Sequence, residues 1–247
     1  MFPILNIGPL AIQTPGLIII IGIYISILVV EKYSIRFSIK PNDSSNIIYL
    51  YVISTVIIGR IAYFFRFPSI FLENPLSTIS LNPNLIDFSS GMIFSVFIAI
   101  IYIQKKKLKL LSILDSLSLG LIIFLLFFFF AQFASGNLYG RPTNLPWSVF
   151  LWGTTRHPLQ LYYVIGLIPI FFLIIQIMKK KLSHGILFSI TSGYLAIMTI
   201  FLDFFNGNPN NKIGNLNILQ ITAWIILVAT LFIINKKKMD NQQLTMD

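Results

Sequence analysis

Apolar residues along this chain are gathered into seven long blocks separated by short polar breaks. The blocks run over Pro15–Val30, Asn46–Arg66, Phe88–Gln104, Leu110–Ala134, His157–Met178, Gly185–Phe205 and Leu216–Asn235. Inside them the apolar positions follow neither a clean helical nor a clean strand period. That is the pattern of helices whose surroundings are apolar on every side. At a rise of about 1.5 Å per residue, roughly 20 such residues cross a hydrocarbon core. The pattern therefore predicts an all-α membrane protein, one polytopic domain over residues 1–247 with seven transmembrane helices. The breaks carry turn chemistry: Lys40-Pro41-Asn42-Asp43, Pro75, Asn82-Pro83-Asn84 and Asn206-Gly207-Asn208-Pro209. Met1–Thr14 is expected to lie along the outer face, because Pro3, Gly8 and Pro9 interrupt a regular helix.

Composition sharpens this. Hydrophobic residues make up 56% of the chain and charged residues 11%, well below the roughly 25% that keeps a soluble surface wet. The net charge of +10 would suit nucleic acid, but its placement argues against that. Thirteen of the eighteen Lys and Arg sit on alternate breaks: Lys32, Arg36 and Lys40; Lys105–Lys107 and Lys109; Lys179–Lys181; and Lys236–Lys238. By the positive-inside rule these loops are cytoplasmic, which puts the N-terminus outside and the C-terminus inside. The basic loops also suit anionic lipid headgroups. No basic residue precedes the first apolar block, which argues against a cleaved signal peptide. The chain has no cysteine, so disulfides and thiolate chemistry of its own are excluded.

With the lysines explained, the other polar groups carry the chemistry. Arg60 lies six residues inside the outer end of the second span, roughly 9 Å deep by helix rise. An intramembrane guanidinium is either a functional group or one that snorkels to the headgroups. Asp203, near the outer end of the sixth span, suits pairing with an arginine, acid/base work or a helix-end role. Asp115 reads as a helix N-terminal charge set against the macrodipole. The segment 135–156 reads as an outer amphipathic arm, with Trp147 and Trp152 suited to the membrane interface and Arg141 and Arg156 at its flanks. Pro158 suits a first helical turn, whose backbone N–H groups would face an anion. His157 is the histidine of the outer side. A lone histidine serves either as a hydrogen-bonded structural group or as a base. Arg60, Arg141, Arg156, His157 and Asp203 thus converge on the outer leaflet. Guanidinium groups grip phosphate bidentately and the spans offer walls for acyl chains, so the residues read as a phospholipid site.

These residues also carry a resemblance. Ile7-Gly8-Pro9-Leu10-Ala11-Ile12, Gly59-Arg60-Ile61-Ala62-Tyr63, Ser135-Gly136-Asn137-Leu138-Tyr139-Gly140-Arg141, Arg156-His157-Pro158-Leu159-Gln160-Leu161-Tyr162 and Asp203-Phe204-Phe205 stand in the order of the bacterial prolipoprotein diacylglyceryl transferase motifs. The chain resembles that family over nearly its whole length. The resemblance implies transfer of diacylglycerol from phosphatidylglycerol to the lipobox cysteine thiol of a preprolipoprotein in the bacterial cytoplasmic membrane, with release of glycerol phosphate. It implies no metal and no organic cofactor. His157 or Asp203 would take the thiol proton. Arg60, Arg141, Arg156, Gly140, Gln160 and Tyr162 would hold the phospholipid.

The chain also departs from the family pattern. The FHGG histidine is Ser89, and the signature arginine and asparagine fall on Phe129 and Gln132. The arginine of YGxFR falls on Met198 or Thr199. The signature glutamate is Asn137, the glutamate that ends RHPSQLYE is Tyr163, and the tyrosine before the first-span glycine is Pro15. Two readings follow: a divergent transferase with a rearranged set of groups, or a non-catalytic phospholipid- or lipoprotein-binding membrane protein on the same fold. A transporter would require polar groups at mid-membrane depth in several spans, and these are nearly absent.

Overall fold

A computed structural model of the chain describes residues 4–7, 10–80, 82–180, 183–207, 212–213 and 216–243. Pro3, Gly8, Pro9, Lys181, Asn208 and Pro209, all used in the sequence reading, lie outside them. Before the first span, β1 (Ile4–Ile7) pairs antiparallel with β2 (Leu10–Gln13). The chain then forms α1 (Thr14–Ser34), α2 (Pro41–Arg66), α3 (Pro68–Glu73), α4 (Phe88–Lys105) and α5 (Leu110–Ser135). A hairpin of β3 (Val149–Leu151) and β4 (Thr154–Arg156) leads to α6 (Leu159–Ile177) and α7 (Ile186–Leu202). Two short strands, β5 (Lys212–Ile213) and β6 (Leu216–Asn217), precede α8 (Ile218–Gln243). Among the described residues seven helices are long and apolar enough to cross a membrane. All seven predicted spans are helices.

Boundaries shift where capping chemistry decides them. The break predicted at Lys40–Asp43 is absorbed into α2, because Pro41 occupies the first helical turn, where its missing N–H costs nothing. The fifth predicted span begins two residues late: His157 and Pro158 stay outside the helix, and α6 starts at Leu159. The anion-facing N–H groups expected there are engaged. Leu159 donates to the His157 carbonyl at 2.9 Å, and Leu161 and Tyr162 both donate to the Pro158 carbonyl.

The chain divides into two compact units, Glu31–Ile113 and the remainder, Met1–Val30 with Leu114–Asp247. In the first, α2 and α4 pack backbone to backbone at Gly59 and Gly91: a Cβ on Gly91 would meet the Gly59 Cα at 3.2 Å. Small residues allow this approach where helices cannot gain from excluding water. Asp87 caps α4 by accepting from the Ser90 backbone N–H at 3.2 Å and the Ser90 hydroxyl at 3.1 Å. Its N–H donates to the Gly59 carbonyl at 3.0 Å. At the far end Asp43 meets Tyr102 Oη at 3.3 Å and Lys106 at 3.9 Å.

In the second unit, α6 and α7 meet at Gly166 and Met198, and α7 and α8 at Gly193 and Thr230. Leu159, Leu167, Ile170, Ile174 and Leu187 are fully buried. Asp115 corrects the sequence reading. It complements a helix N-terminus, but that of α7 rather than its own helix: Oδ2 accepts from Gly185 N–H at 2.5 Å and Oδ1 from Phe188 N–H at 2.8 Å.

Candidate functional site

The retained motif residues between Gly140 and Tyr162 fold into one knot of backbone at the start of α6. Gly140 donates to the His157 carbonyl at 3.0 Å, and His157 returns a bond to the Arg141 carbonyl at 3.1 Å. Arg141 N–H donates to the Phe205 carbonyl at 2.8 Å, and Gly140 bridges Asn206. The segment after α5 is thus laid between the entry to α6 and the 3-10 turn Asp203–Phe205 that follows α7. Gly140 permits it, since a Cβ there would stand 2.5 Å from the His157 Cβ and 2.6 Å from its carbonyl oxygen. The expected arm, 135–156, ends in the β3–β4 hairpin. Its two-residue turn has positive φ at both Trp152 and Gly153, the turn whose twist matches paired strands. Trp152 is tied back by its indole N–H to the Gly136 carbonyl at 3.1 Å. Trp147, Phe150 and Trp152 remain exposed.

His157 Nδ1 lies 3.0 Å from Tyr162 Oη, and the Trp147 indole N–H donates to the same hydroxyl at 2.8 Å. Phe205 meets both rings edge-on, with centroids 5.1 Å from His157 and 5.8 Å from Tyr162. This trio stands in the wall of a cavity of about 850 Å³, whose other walls include Ile165, Tyr194, Met198 and Phe201. The lining is almost wholly apolar, as a site for hydrocarbon should be. Sequence reasoning placed Trp147 only in the interface belt. Its bond to Tyr162 has no signal in the chain, because the two meet only when the loop folds back.

The arginines differ in what they hold. Arg141 is exposed, with Nε donating to the Asn206 carbonyl at 3.3 Å. Arg156 is half-buried, spanning the Leu151 and Gly140 carbonyls at 3.2 and 3.4 Å, with its guanidinium 4.7 Å from the Tyr139 ring centroid. Gln160 is fully buried and donates to the Asn137 carbonyl, which ties the arm to α6. Asp203 is buried, and its Oδ1 accepts from the Asn206 and Asn217 side-chain amides at 3.0 and 2.9 Å. Arg60 belongs to the Glu31–Ile113 unit, where Nη2 donates to the Ser77 carbonyl at 2.5 Å and Ser80 Oγ at 3.1 Å. Among the described residues no group of three or more His, Asp or Glu could hold a metal ion.

The departures from the family pattern have an order of their own. Phe129 and Tyr163 stand where the resembled pattern has a charge of each sign. Here they stack face to face, with centroids 4.2 Å apart and planes 5° from parallel, both buried. Tyr163 also hydrogen-bonds the Thr199 side chain, one of the two positions, Met198 or Thr199, on which the arginine of YGxFR falls. Ser89 lies in the capped first turn of α4, beside the Asp87–Ser90 pair.

Comparison with known sequences places these features. The model of a family described as "Prolipoprotein diacylglyceryl transferase" matches residues 3–235. Among curated relatives, a protein of Bordetella parapertussis is 30% identical over 92% of this chain and 90% of its own length. One of Agrobacterium fabrum is 28% identical over 93% and 88%, and one of Finegoldia magna 27% over 87% and 86%. Each bears the name phosphatidylglycerol–prolipoprotein diacylglyceryl transferase.

Proposed function

The chain belongs to the prolipoprotein diacylglyceryl transferase family, and from that premise we propose how its own residues carry the reaction. It is a multi-pass membrane protein and a transferase; the non-catalytic alternative finds no support among its relatives. The donor is phosphatidylglycerol and the acceptor the lipobox cysteine thiol of a preprolipoprotein. The thiol sulfur forms a bond to the terminal glycerol carbon of the diacylglycerol moiety. The carbon–oxygen bond to phosphate breaks, and its electron pair leaves on glycerol phosphate. The thiol proton passes to a base.

His157 is that base. In the tautomer whose Nδ1–H donates to Tyr162 Oη, Nε2 keeps its lone pair for the proton. Trp147, a donor only, holds the Tyr162 oxygen from the other side and so fixes the ring. Asp203 has a positioning role, because its carboxylate is held by two asparagine amides. Arg141 and Arg156 supply the cationic edge that stabilises the departing phosphate. The apolar cavity takes an acyl chain. Gly140, Gln160 and Tyr162 shape this site. Arg60 supports its own outer loop. The site faces outward in the bacterial cytoplasmic membrane, with the N-terminus outside and the C-terminus cytoplasmic.

The observation that carries this reading is the His157–Tyr162–Trp147 chain in the wall of an apolar cavity, on the same knot as Arg141. Its test is expression in bacterial cells depleted of their own diacylglyceryl transferase. The chain should restore growth. His157→Ala should cut transfer by about 10²–10⁴-fold, the usual contribution of a positioned base. An inserted, folded chain that gives no rescue overturns the assignment of activity, and a His157→Ala variant with full activity overturns the choice of base.

A further inference from the structure

Between α2 and α4 the chain makes a detour that neither the spans nor the site explains. α2 has 26 residues and α4 has 18, so by helix rise they are about 39 and 27 Å long. At one end they are level, because Asp43 of α2 meets Tyr102 and Lys106 beside the end of α4. At the other end they are not. Asp87, the cap of α4, bonds the carbonyl of Gly59, seven residues before α2 ends.

Measured from Asp43, Gly59 stands at about 24 Å and Tyr63 at about 30 Å by helix rise. A hydrocarbon core is about 30 Å thick. The chain that joins Arg66 to Asp87 therefore has to come down from the core's edge to about 6 Å inside it. Its ties to α2 fall along that stretch. Phe71 is buried against Tyr63 and Phe64, with ring centroids 6.1 and 5.4 Å away. Ser77 and Ser80 hang from Arg60. Other side chains of the segment are bare: Leu72 and Leu76 are each 74% exposed, and Ile70 is exposed as well. On α2 itself Ile61 and Phe65 are likewise exposed. From Phe67 to Ser80 the one charged residue is Glu73.

We propose that Phe67–Ser80 is a membrane-inserted arm, with Leu72 and Leu76 among the acyl chains of the leaflet and Arg60 as the clamp on its polar side. The occupant is lipid, because the segment is tied to Arg60, Tyr63 and Phe64 at the end of a membrane-spanning helix and bares leucines there. Arg60 thus anchors a loop whose carbonyl and hydroxyl engage Nη2, while its Nε is buried without a partner.

The absence of cysteine makes the test clean. Nitroxide labels are placed on Leu72→Cys and Leu76→Cys in the full chain reconstituted in phosphatidylglycerol-containing nanodiscs, with Ile70→Cys as the substitute if either fails to fold by circular dichroism. Ile53→Cys, exposed in mid-α2, and Lys109→Cys, exposed beyond α4, are the lipid and water references. Collision with oxygen and with a water-soluble nickel chelate reports depth. Arm labels closer to the Ile53 value support the proposal. Labels closer to the Lys109 value overturn it and leave the face for a protein partner. Neither outcome depends on transferase activity.

Discussion

At the scale of single residues, the stacked pair Phe129 and Tyr163 is where this chain is most its own. Replacing a buried ion pair by well-packed apolar groups of similar size is often neutral or stabilising, whereas a single buried charge without its partner costs about 3–5 kcal/mol. The stack at 4.2 Å is a well-packed apolar pair at positions where the resembled pattern has an arginine and a glutamate. Phe129→Arg alone should therefore destabilise the chain by about 3 kcal/mol or more. Phe129→Arg with Tyr163→Glu should recover a large part of the loss. Thermal unfolding in detergent over the four members of the cycle gives the coupling, and additive losses would break the link between the two sites. The sequence displayed both substitutions but not their contact, because 34 positions of chain separate them. Asp203 teaches the same lesson. Its place near a helix end was legible, yet its partners Asn206 and Asn217 come from segments whose positions folding sets.

At the scale of elements, capping decides where helices begin, and two aspartates do it differently. Asp115 caps α7 from α5. Asp115→Asn should cost about 1–3 kcal/mol, because one amide replaces a carboxylate that accepts two backbone N–H groups. Amide hydrogen exchange at Phe188 should quicken while that within α4 stays unchanged. Asp87 caps its own helix, accepting from the Ser90 backbone N–H and the Ser90 hydroxyl. Helix existence was legible because long apolar blocks have one solution in a bilayer. Helix starts were less so: the Pro41 turn and the non-helical His157-Pro158 depend on which N–H groups find partners.

At the scale of the molecule, the placement of the lysines predicts a cytoplasmic C-terminus. Fusing a fluorescent protein or alkaline phosphatase after Asp247 should give a bright cytoplasmic fluorophore and an inactive phosphatase, and the reverse pattern would invert the topology. Seven spans and the membership of a transferase family were open to reading in the chain by itself. They rest on properties that act locally or sum along the sequence: transfer of apolar blocks out of water and short motifs in fixed order. The tertiary structure alone decided that Gly140, His157 and Phe205 share one knot and that Trp147 closes on Tyr162. It alone decided that Asp115 caps another helix and that Arg60 clamps a loop. Each of these is a bond between residues distant in sequence, whose energy exists only once the backbone has brought donor and acceptor within about 3 Å.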